Sequence, residues 1–303
     1  VASYAVLGPG GVGGFVAGAL SRSGEDVTVV AGEDTAAVIA DRGIRVTSVV
    51  LGEFTATPAA ASALERPVDV LFVATKAIGL ENALARIRAG AETVVPLLNG
   101  RDHMEALRAR FGDERVAAGV IRIESDRPAP GQVVQSSPQV RVDLASDDEK
   151  IAARLPPIAG ALERAGIPAR TGQSEAQILW SKLVRLNALS ATTTVSGQPI
   201  GYIRSDPTWR RVMIDCIEEA AAAATAEGAN IDPGATLAEL DQAHPGLGSS
   251  MQRDIQAGRT PELDAIQGSV MRAAARHGLG CPTVARLASE IAEKAGIAPP
   301  RAG

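Results

Sequence analysis

Residues able to do chemistry are spread along this chain, and a lysine in the second half is the first of them. Lys182 sits in Trp180-Ser181-Lys182-Leu183, with Ile178, Leu179, Leu186 and Leu189 at helical spacing around it. Such a setting leaves the lysine stem poorly solvated, and desolvation draws an ammonium toward the range in which it serves as a general acid. It equally suits a lysine that stretches its head to water at a domain seam, and the local sequence leaves both readings open. Two polar pairs, Thr75-Lys76 and Asn99-Gly100, each close an apolar run. If those runs are parallel strands, the pairs stand at their carboxyl ends, where open α/β sheets bind ligands. Lys76 is then placed to reach a ribose or phosphate of a bound ligand, and the Asn99 amide to bond a ribose or a substrate. Further on, Ser249-Ser250-Met251 leads into Pro261-Glu262-Leu263-Asp264. There the proline opens a helix whose first turn holds acids that complement its dipole, and nothing local marks Glu262 as more than that.

The element that would hold a cofactor lies at the N-terminus. Ser3 to Leu7 is an apolar run that breaks into Gly8-Pro9-Gly10-Gly11-Val12-Gly13, and helical periodicity follows from Phe15 to Ser23. Gly8, Gly10 and Gly13 fit G-x-G-x-x-G after a strand and before a helix, the context that dinucleotide binding requires. Gly8 would allow the tight turn, Gly10 the approach of backbone to pyrophosphate, and Gly13 close packing of helix on strand. The helix N-terminus would face the phosphate charge.

Strand-like and helical segments alternate through the first half of the chain. Val27–Ala31, Ile44–Phe54 with a turn near Gly52, Val68–Thr75, Thr93–Leu98 with its proline near the start, and Val116–Ile123 read as strands. Gln132–Gln135 and Gln139–Leu144 add two more, and Pro168–Thr171 an edge strand. Asp34–Arg42, Ile78–Arg88, Asp102–Phe111 and Ile151–Ala165 read as helices between them. This order implies right-handed crossovers and a doubly wound sheet. Beyond it the segments are helical: Glu175–Val195, Pro207–Glu227, Ala235–Ala243, Ser249–Ala257, Glu262–His277 and Thr283–Ala295. The fold class expected is therefore an α/β Rossmann-type doubly wound sheet domain followed by an all-α C-terminal domain. The division is placed at 1–172 and 173–303, in a connector near Gln173.

Bulk properties exclude several functions. A length of 303 residues with 46% apolar and 21% charged residues is that of an ordinary globular protein with room for two domains. A formal charge of −5 gives no footprint for nucleic acid, and aromatics at 3% offer no stacking platform for bases. No segment is apolar over the ~20 residues that cross a bilayer, and the N-terminus enters a strand without the regions of a signal peptide. Cys216 and Cys281 read as ordinary thiols, which suits a cytoplasmic protein, and three scattered histidines argue against a metal site.

Taken in order, Gly8-Pro-Gly-Gly-Val-Gly13, Val73-Ala-Thr-Lys76-Ala77, Leu98-Asn99-Gly100, Trp180-Ser-Lys182-Leu183 and Ser249-Ser250-Met251…Glu262-Leu-Asp264 resemble the 2-dehydropantoate 2-reductase (ketopantoate reductase) family over nearly the whole chain. The resemblance implies NADPH-dependent reduction of 2-dehydropantoate to (R)-pantoate, a step toward pantothenate, in a cleft between a Rossmann domain and a helical domain. It implies that Lys182 protonates the carbonyl oxygen as hydride arrives and that Glu262 stands beside cofactor and substrate hydroxyl. Ser250 would bind the substrate carboxylate. Asn99 and Lys76 would touch the nicotinamide ribose side, with Ser125 at the loop position after the next strand.

The chain departs from this family in two places. Leu186 and Ser190 occupy positions where many members carry asparagine. Asn187 is turned about 140° from Lys182 on an ideal helix, whereas Thr193 returns to within about 20° and is assigned to the substrate side. The segment after the second strand, Ala31-Gly32-Glu33-Asp34, lacks the arginine that commonly receives an NADP 2′-phosphate. Arg42 would replace it only if the intervening helix returned it, so NADP(H) is favoured and NAD(H) remains the alternative. The expected partners are a small 2-keto acid, no nucleic acid and no membrane, in a monomer or homodimer. Rival functions are a related NAD(P)H-dependent reductase of another keto acid or imine, and a catalytically inactive dinucleotide-sensing regulator.

Overall fold

The computed structural model describes residues 2–302, and the chain forms two compact units. One comprises Val1–Leu98 with His103–Ile178, the other Asn99–Asp102 with Leu179–Gly303. The first unit begins with β1 (Ser3–Leu7), α1 (Gly11–Arg22), β2 (Asp26–Val30), α2 (Glu33–Arg42), β3 (Ile44–Ser48), β4 (Gly52–Ala56), β5 (Ala59–Ala61), β6 (Val68–Val73), α3 (Leu80–Leu84) and β7 (Ala91–Pro96). After α4 (His103–Phe111) come β8 (Ala118–Arg122), β9 (Ser125–Asp126), β10 (Gln132–Gln135), β11 (Arg141–Ala145), α5 (Glu149–Ala152), α6 (Leu155–Arg164) and β12 (Ala169–Arg170).

The apolar runs β1, β6 and β7 form the centre and one side of the parallel sheet, buried on both faces over most of their length, while β5 at the other edge is not buried. The sheet order is β5-β2-β1-β6-β7, and all four pairings are parallel. From β1 the chain proceeds outward to β2 on one side and to β6 on the other, so the glycine turn after β1 lies at the reversal point of the sheet. The remaining strands form two smaller sheets, β4-β3-β10-β9 and β12-β11-β8. Phe15, Val16 and Leu20 of α1, with Val6, Val29 and Phe72 of the sheet, belong to the core that α6 completes through Leu155, Ile158 and Leu162.

Three expected elements come out differently, each for a local reason. The helix read over Ile78–Arg88 is only a 3₁₀ turn, Ala77–Gly79, followed by α3. Beyond it the backbone is taken by Leu64, whose N–H donates to Arg86 O and whose carbonyl accepts from Arg88 N, so the helix cannot continue. The helix read over Ile151–Ala165 is split into α5 and α6 before Pro156-Pro157, which lack the N–H groups that would bond back into the preceding turn. Pro96 closes β7 rather than opening it, opposite Val73.

The second unit carries most of α7 (Glu175–Ser196), then α8 (Ile200–Ser205), α9 (Pro207–Ala226), α10 (Pro233–Gln242), α11 (Ser250–Gln256), a π turn Asp264–Gly268, α12 (Ser269–Arg276) and α13 (Pro282–Ala295). Helix starts here follow a repeated device. Asp206 and Asp232 each cap a helix with the side chain and are followed by proline, whose fixed φ and missing N–H suit the first turn. The helix expected from Glu262 onward opens on the π turn, and α8 is an addition to the sequence reading. No helix among the described residues is long and apolar enough to cross a membrane.

Candidate active site

In the first unit the backbone builds a candidate cofactor-binding turn. Gly8 has φ of +88°, in the region where glycine alone is unstrained, and a Cβ there would stand 2.7 Å from Thr75 Cγ2 at the end of β6. Ala74 N donates to Leu7 O at 2.9 Å, which draws the ends of β6 and β1 together. A Cβ on Gly13 would overlap Gly8 O, so α1 packs against the turn as closely as its backbone permits. Gly10 differs: a Cβ there would meet nothing within 4 Å, and its face is open. As N-cap of α1 it brings no side-chain acceptor, and the first turn holds no acid. The leading N–H groups are therefore uncapped by side chains at the positive end of the helix dipole, an arrangement that fits a pyrophosphate.

Around this turn stand other residues singled out in the sequence. Pro9 is buried and Val12 half-buried. Ser125, at the start of β9, donates its hydroxyl to Gly11 O at 2.8 Å, and a Cβ on Gly11 would overlap the Ser125 carbonyl. Ser125 thus comes to the glycine turn although far from it in sequence. Lys76 is exposed just past β6, where its carbonyl accepts from Gly79 N at 3.0 Å. Thr75, singled out with Lys76 at the strand end but given no role of its own, has its Oγ1 buried without a hydrogen-bond partner among the described residues, beside Gly8. The chain offers the donors, the open approach and an unfilled hydroxyl that a dinucleotide would use. Arg42 does not join them. It ends α2, about 14 Å along the helix from Glu33, and is exposed beside Asp41 at 3.2 Å.

In the second unit a separate constellation is built by side chains. Asn99 donates from Nδ2 to Glu262 Oε2 at 2.9 Å, joining residues 163 positions apart. Two contacts hold them in register. Gly100 has φ of +80°, and its Cα lies so close to the π turn that a Cβ would overlap Ala265 O. Asp102 accepts from Ser269 Oγ at 3.1 Å and from Arg272 Nη2 at 2.6 Å. Arg101 forms an ion pair with Glu227 and lies 5.5 Å over the ring of Trp180, which is wholly buried. Burial holds the Arg101 guanidinium below the ordinary arginine pKa, with Glu227 opposing the shift. Lys182 follows Trp180 on α7 and is half-buried.

The other residues of this half are placed as follows. Thr193 is fully buried, its hydroxyl bonded to Leu189 O at 2.7 Å and to Ser249 Oγ at 3.0 Å. Ser249 caps α11 by accepting from Gln252 N, which leaves Ser250 exposed as the first residue of that helix. Asn187 points into the core, where Nδ2 donates to Cys216 O at 3.3 Å. Ser190 accepts at 2.9 Å from Gln267 Nε2, and Gln267 belongs to the π turn. Arg101, Glu227 and Gln267 escaped the sequence reading because each acts on a residue remote in the chain.

A glycine turn with uncapped helix N–H groups at the reversal point of a parallel sheet is the arrangement of the dinucleotide-binding class of proteins, to which many oxidoreductases belong. Comparison with known proteins narrows the class. The family model described as ketopantoate reductase PanE/ApbA matches residues 4–148, and that of its C-terminal part residues 176–295. A 2-dehydropantoate 2-reductase of Caulobacter vibrioides is 30% identical, over 94% of this chain and 96% of that protein. The crystal structure of a 2-dehydropantoate 2-reductase from Geobacter metallireducens superposes with a TM-score of 0.86 at 28% identity, covering 96% of this chain and 99% of that one. A D-mandelate dehydrogenase solved with NADH and anilino(oxo)acetate shares the fold, with a TM-score of 0.86 at 22% identity over 97% of this chain and 98% of that one. The chain belongs to the ketopantoate reductase family and is an NAD(P)H-dependent oxidoreductase.

Proposed function

We propose that this protein reduces 2-dehydropantoate to (R)-pantoate with NADPH. The observation that carries the reading is the Asn99–Glu262 hydrogen bond, assembled from two distant segments of the chain. The names of the Caulobacter and Geobacter relatives support the substrate. When bound, the reduced nicotinamide supplies hydride from its C4 to the carbonyl carbon.

This chain's own residues do the rest. Gly8 to Gly13, with Thr75 and Ser125 beside them, hold and orient the dinucleotide phosphates and ribose, and Lys76 and Asn99 serve the nicotinamide ribose side. Lys182 transfers a proton from Nζ to the carbonyl oxygen as negative charge develops there, and its ammonium stabilises that charge beforehand. Glu262 accepts from the substrate hydroxyl and keeps the Asn99 amide aimed. Ser250, exposed at the N-terminus of α11, donates to the substrate carboxylate. Thr193 supports that helix through Ser249.

Replacing Lys182 by alanine removes the proton donor, and turnover should fall by about 10²- to 10⁴-fold. NADPH binding, followed by nucleotide fluorescence, should be retained. Undiminished turnover in Lys182→Ala would reject the assignment.

One observation favours a second reading, reduction of another small 2-keto acid. Leu186 is half-buried, and Ser190 is occupied by Gln267, so neither reproduces a family asparagine. NADPH oxidation across a panel of 2-keto acids distinguishes the two: the first reading requires 2-dehydropantoate to have the highest kcat/KM.

A further inference from the structure

Rossmann-type domains read the adenosine ribose at the carboxyl end of the second strand. An acid there accepts from a free 2′-hydroxyl, and an arginine receives a 2′-phosphate. In this chain the residues in that place are Ala31-Gly32-Glu33-Asp34, without a cation, and α2 carries Arg42 away. A guanidinium nevertheless stands there, delivered from a different part of the sequence. We infer that Arg86 recognises the 2′-phosphate of a 2′-phosphorylated adenine dinucleotide at the end of β2. The inference rests on the cofactor reading above and refines it.

Backbone pairing delivers Arg86 to this place. β5 runs alongside β2, with Ala61 opposite Val30. Just beyond β5, Leu64 N donates to Arg86 O at 2.9 Å and Arg88 N to Leu64 O at 3.0 Å, with Ile87 bridged to Leu64. These bonds end α3 early and fix the Arg86 backbone beside the strand ends. Its half-buried side chain then lies across them. Nη1 donates to Ser62 O at 3.1 Å, and Nη2 lies 3.8 Å from the point where a Cβ of Gly32 would be.

The chemistry of the place suits a phosphate. A guanidinium has five N–H donors in a planar fork, and among the described residues Arg86 has no ion pair. Gly32 has no side chain to fill the space next to that fork, and nothing other than Arg86 comes within 4 Å of its Cβ position. Gly32 also caps α2 without a side-chain bond, so the first N–H groups of that helix add to the attraction for an anion. A fork beside open backbone is the geometry that takes a phosphate by two parallel bonds, which a lysine cannot match. Glu33 and Asp34 oppose an anion, but both are exposed and screened by water and salt. Without a 2′-phosphate, Glu33 is the acceptor for a ribose hydroxyl, so Arg86 and Glu33 together set the choice between the two cofactors.

Calorimetric titration with adenosine 2′,5′-bisphosphate and with AMP tests this without hydride chemistry. The proteins are the full-length wild type, Arg86→Gln, which keeps a donor for Ser62 O, and Arg86→Lys, which keeps the charge. The wild type should bind the bisphosphate more tightly than AMP. Arg86→Gln should lose about 10- to 100-fold in bisphosphate affinity, the range of a charge-assisted contact, while AMP affinity holds; Arg86→Lys should fall between. Loss of both ligands in equal measure assigns Arg86 a structural role and overturns the inference. If bisphosphate preference survives Arg86→Gln, the inference fails and NADPH use stands. If the wild type itself shows no preference, NADPH use and the inference fail together.

Discussion

In the proposed reaction, the glycine turn of the first unit and the Asn99–Glu262 pair of the second would act by opposite means. The turn is made of backbone: its residues are neighbours in the chain, and its function depends on side chains being absent. The pair is made of side chains 163 residues apart, and its geometry depends on other side chains, Arg101, Glu227 and Arg272, being present. A backbone-built site fails when something is added to it. A side-chain-built site fails when something that supports it is removed, even at a distance.

The largest break in this contrast after loss of Lys182 should come from Glu227→Ala. The Glu227 carboxylate is only 8% exposed, and it pairs with Arg101 and, at 2.6 Å, with Arg276. Its removal leaves the largely buried Arg101 guanidinium uncompensated, and urea denaturation should show a loss of about 3 kcal/mol. Because Arg101 adjoins the Asn99-Gly100 turn, kcat/KM should fall as well, and by more than NADPH affinity does, since the first unit holds most of the dinucleotide in the proposed function. Weakened NADPH binding with normal turnover would contradict this division of labour. Gly13→Ala is the mirror case. The new Cβ overlaps Gly8 O, a backbone atom that cannot rotate aside. Stability should fall by about 1–3 kcal/mol, and dinucleotide affinity should fall with it.

The same contrast explains how much could be read from the sequence. The Gly8–Gly13 turn is legible because its strand, turn and helix are contiguous and each has a local signature. The parallel, doubly wound character of the main sheet follows from alternating segments by general connection rules, whereas its strand order and the short edge strand β5 do not. Lys182 stands out through its apolar helical neighbours. Glu262 shows nothing beyond a helix start until Asn99 is seen to donate to it, and Asn99–Asp102 groups with the helical unit although it lies inside the alternating half. The shortened α3 is illegible for a related reason: Leu64 takes the backbone bonds of Arg86 and Arg88 from outside the helical window. The π turn after Glu262 has no periodic signal of its own.

Gly10→Ala sharpens the comparison with a smaller effect. Gly10 has φ of −74°, which alanine adopts freely, and the added methyl meets nothing within 4 Å. Thermal unfolding of the free protein should be unchanged, or raised by less than about 1 kcal/mol in stability. The methyl should still obstruct the approach of pyrophosphate, weakening NADPH binding by roughly tenfold, about 1.4 kcal/mol. A variant that binds NADPH normally would show that the phosphates do not pass over Gly10.

The smallest expected effect concerns acid, in the side-chain-built unit. Arg210 donates to Asp241 through both Nη1 (2.7 Å) and Nη2 (2.9 Å), and these bonds hold the Asp241 carboxyl below the usual aspartate pKa. A carboxylate whose folded pKa is depressed contributes stability that is present above its unfolded value and is lost as pH falls through the folded one. The pair should therefore be fully effective at neutral pH and disappear only below the ordinary aspartate range. Both side chains are about one-third exposed, at 36% and 34%, so solvent screening limits the contribution to less than about 1 kcal/mol. Urea midpoints of the wild type and Asp241→Asn should differ slightly at pH 7 and converge once the solution is taken below the ordinary aspartate range. A difference that persists undiminished at the acid end would mean that Asp241 acts through packing or helix termination and not through its charge.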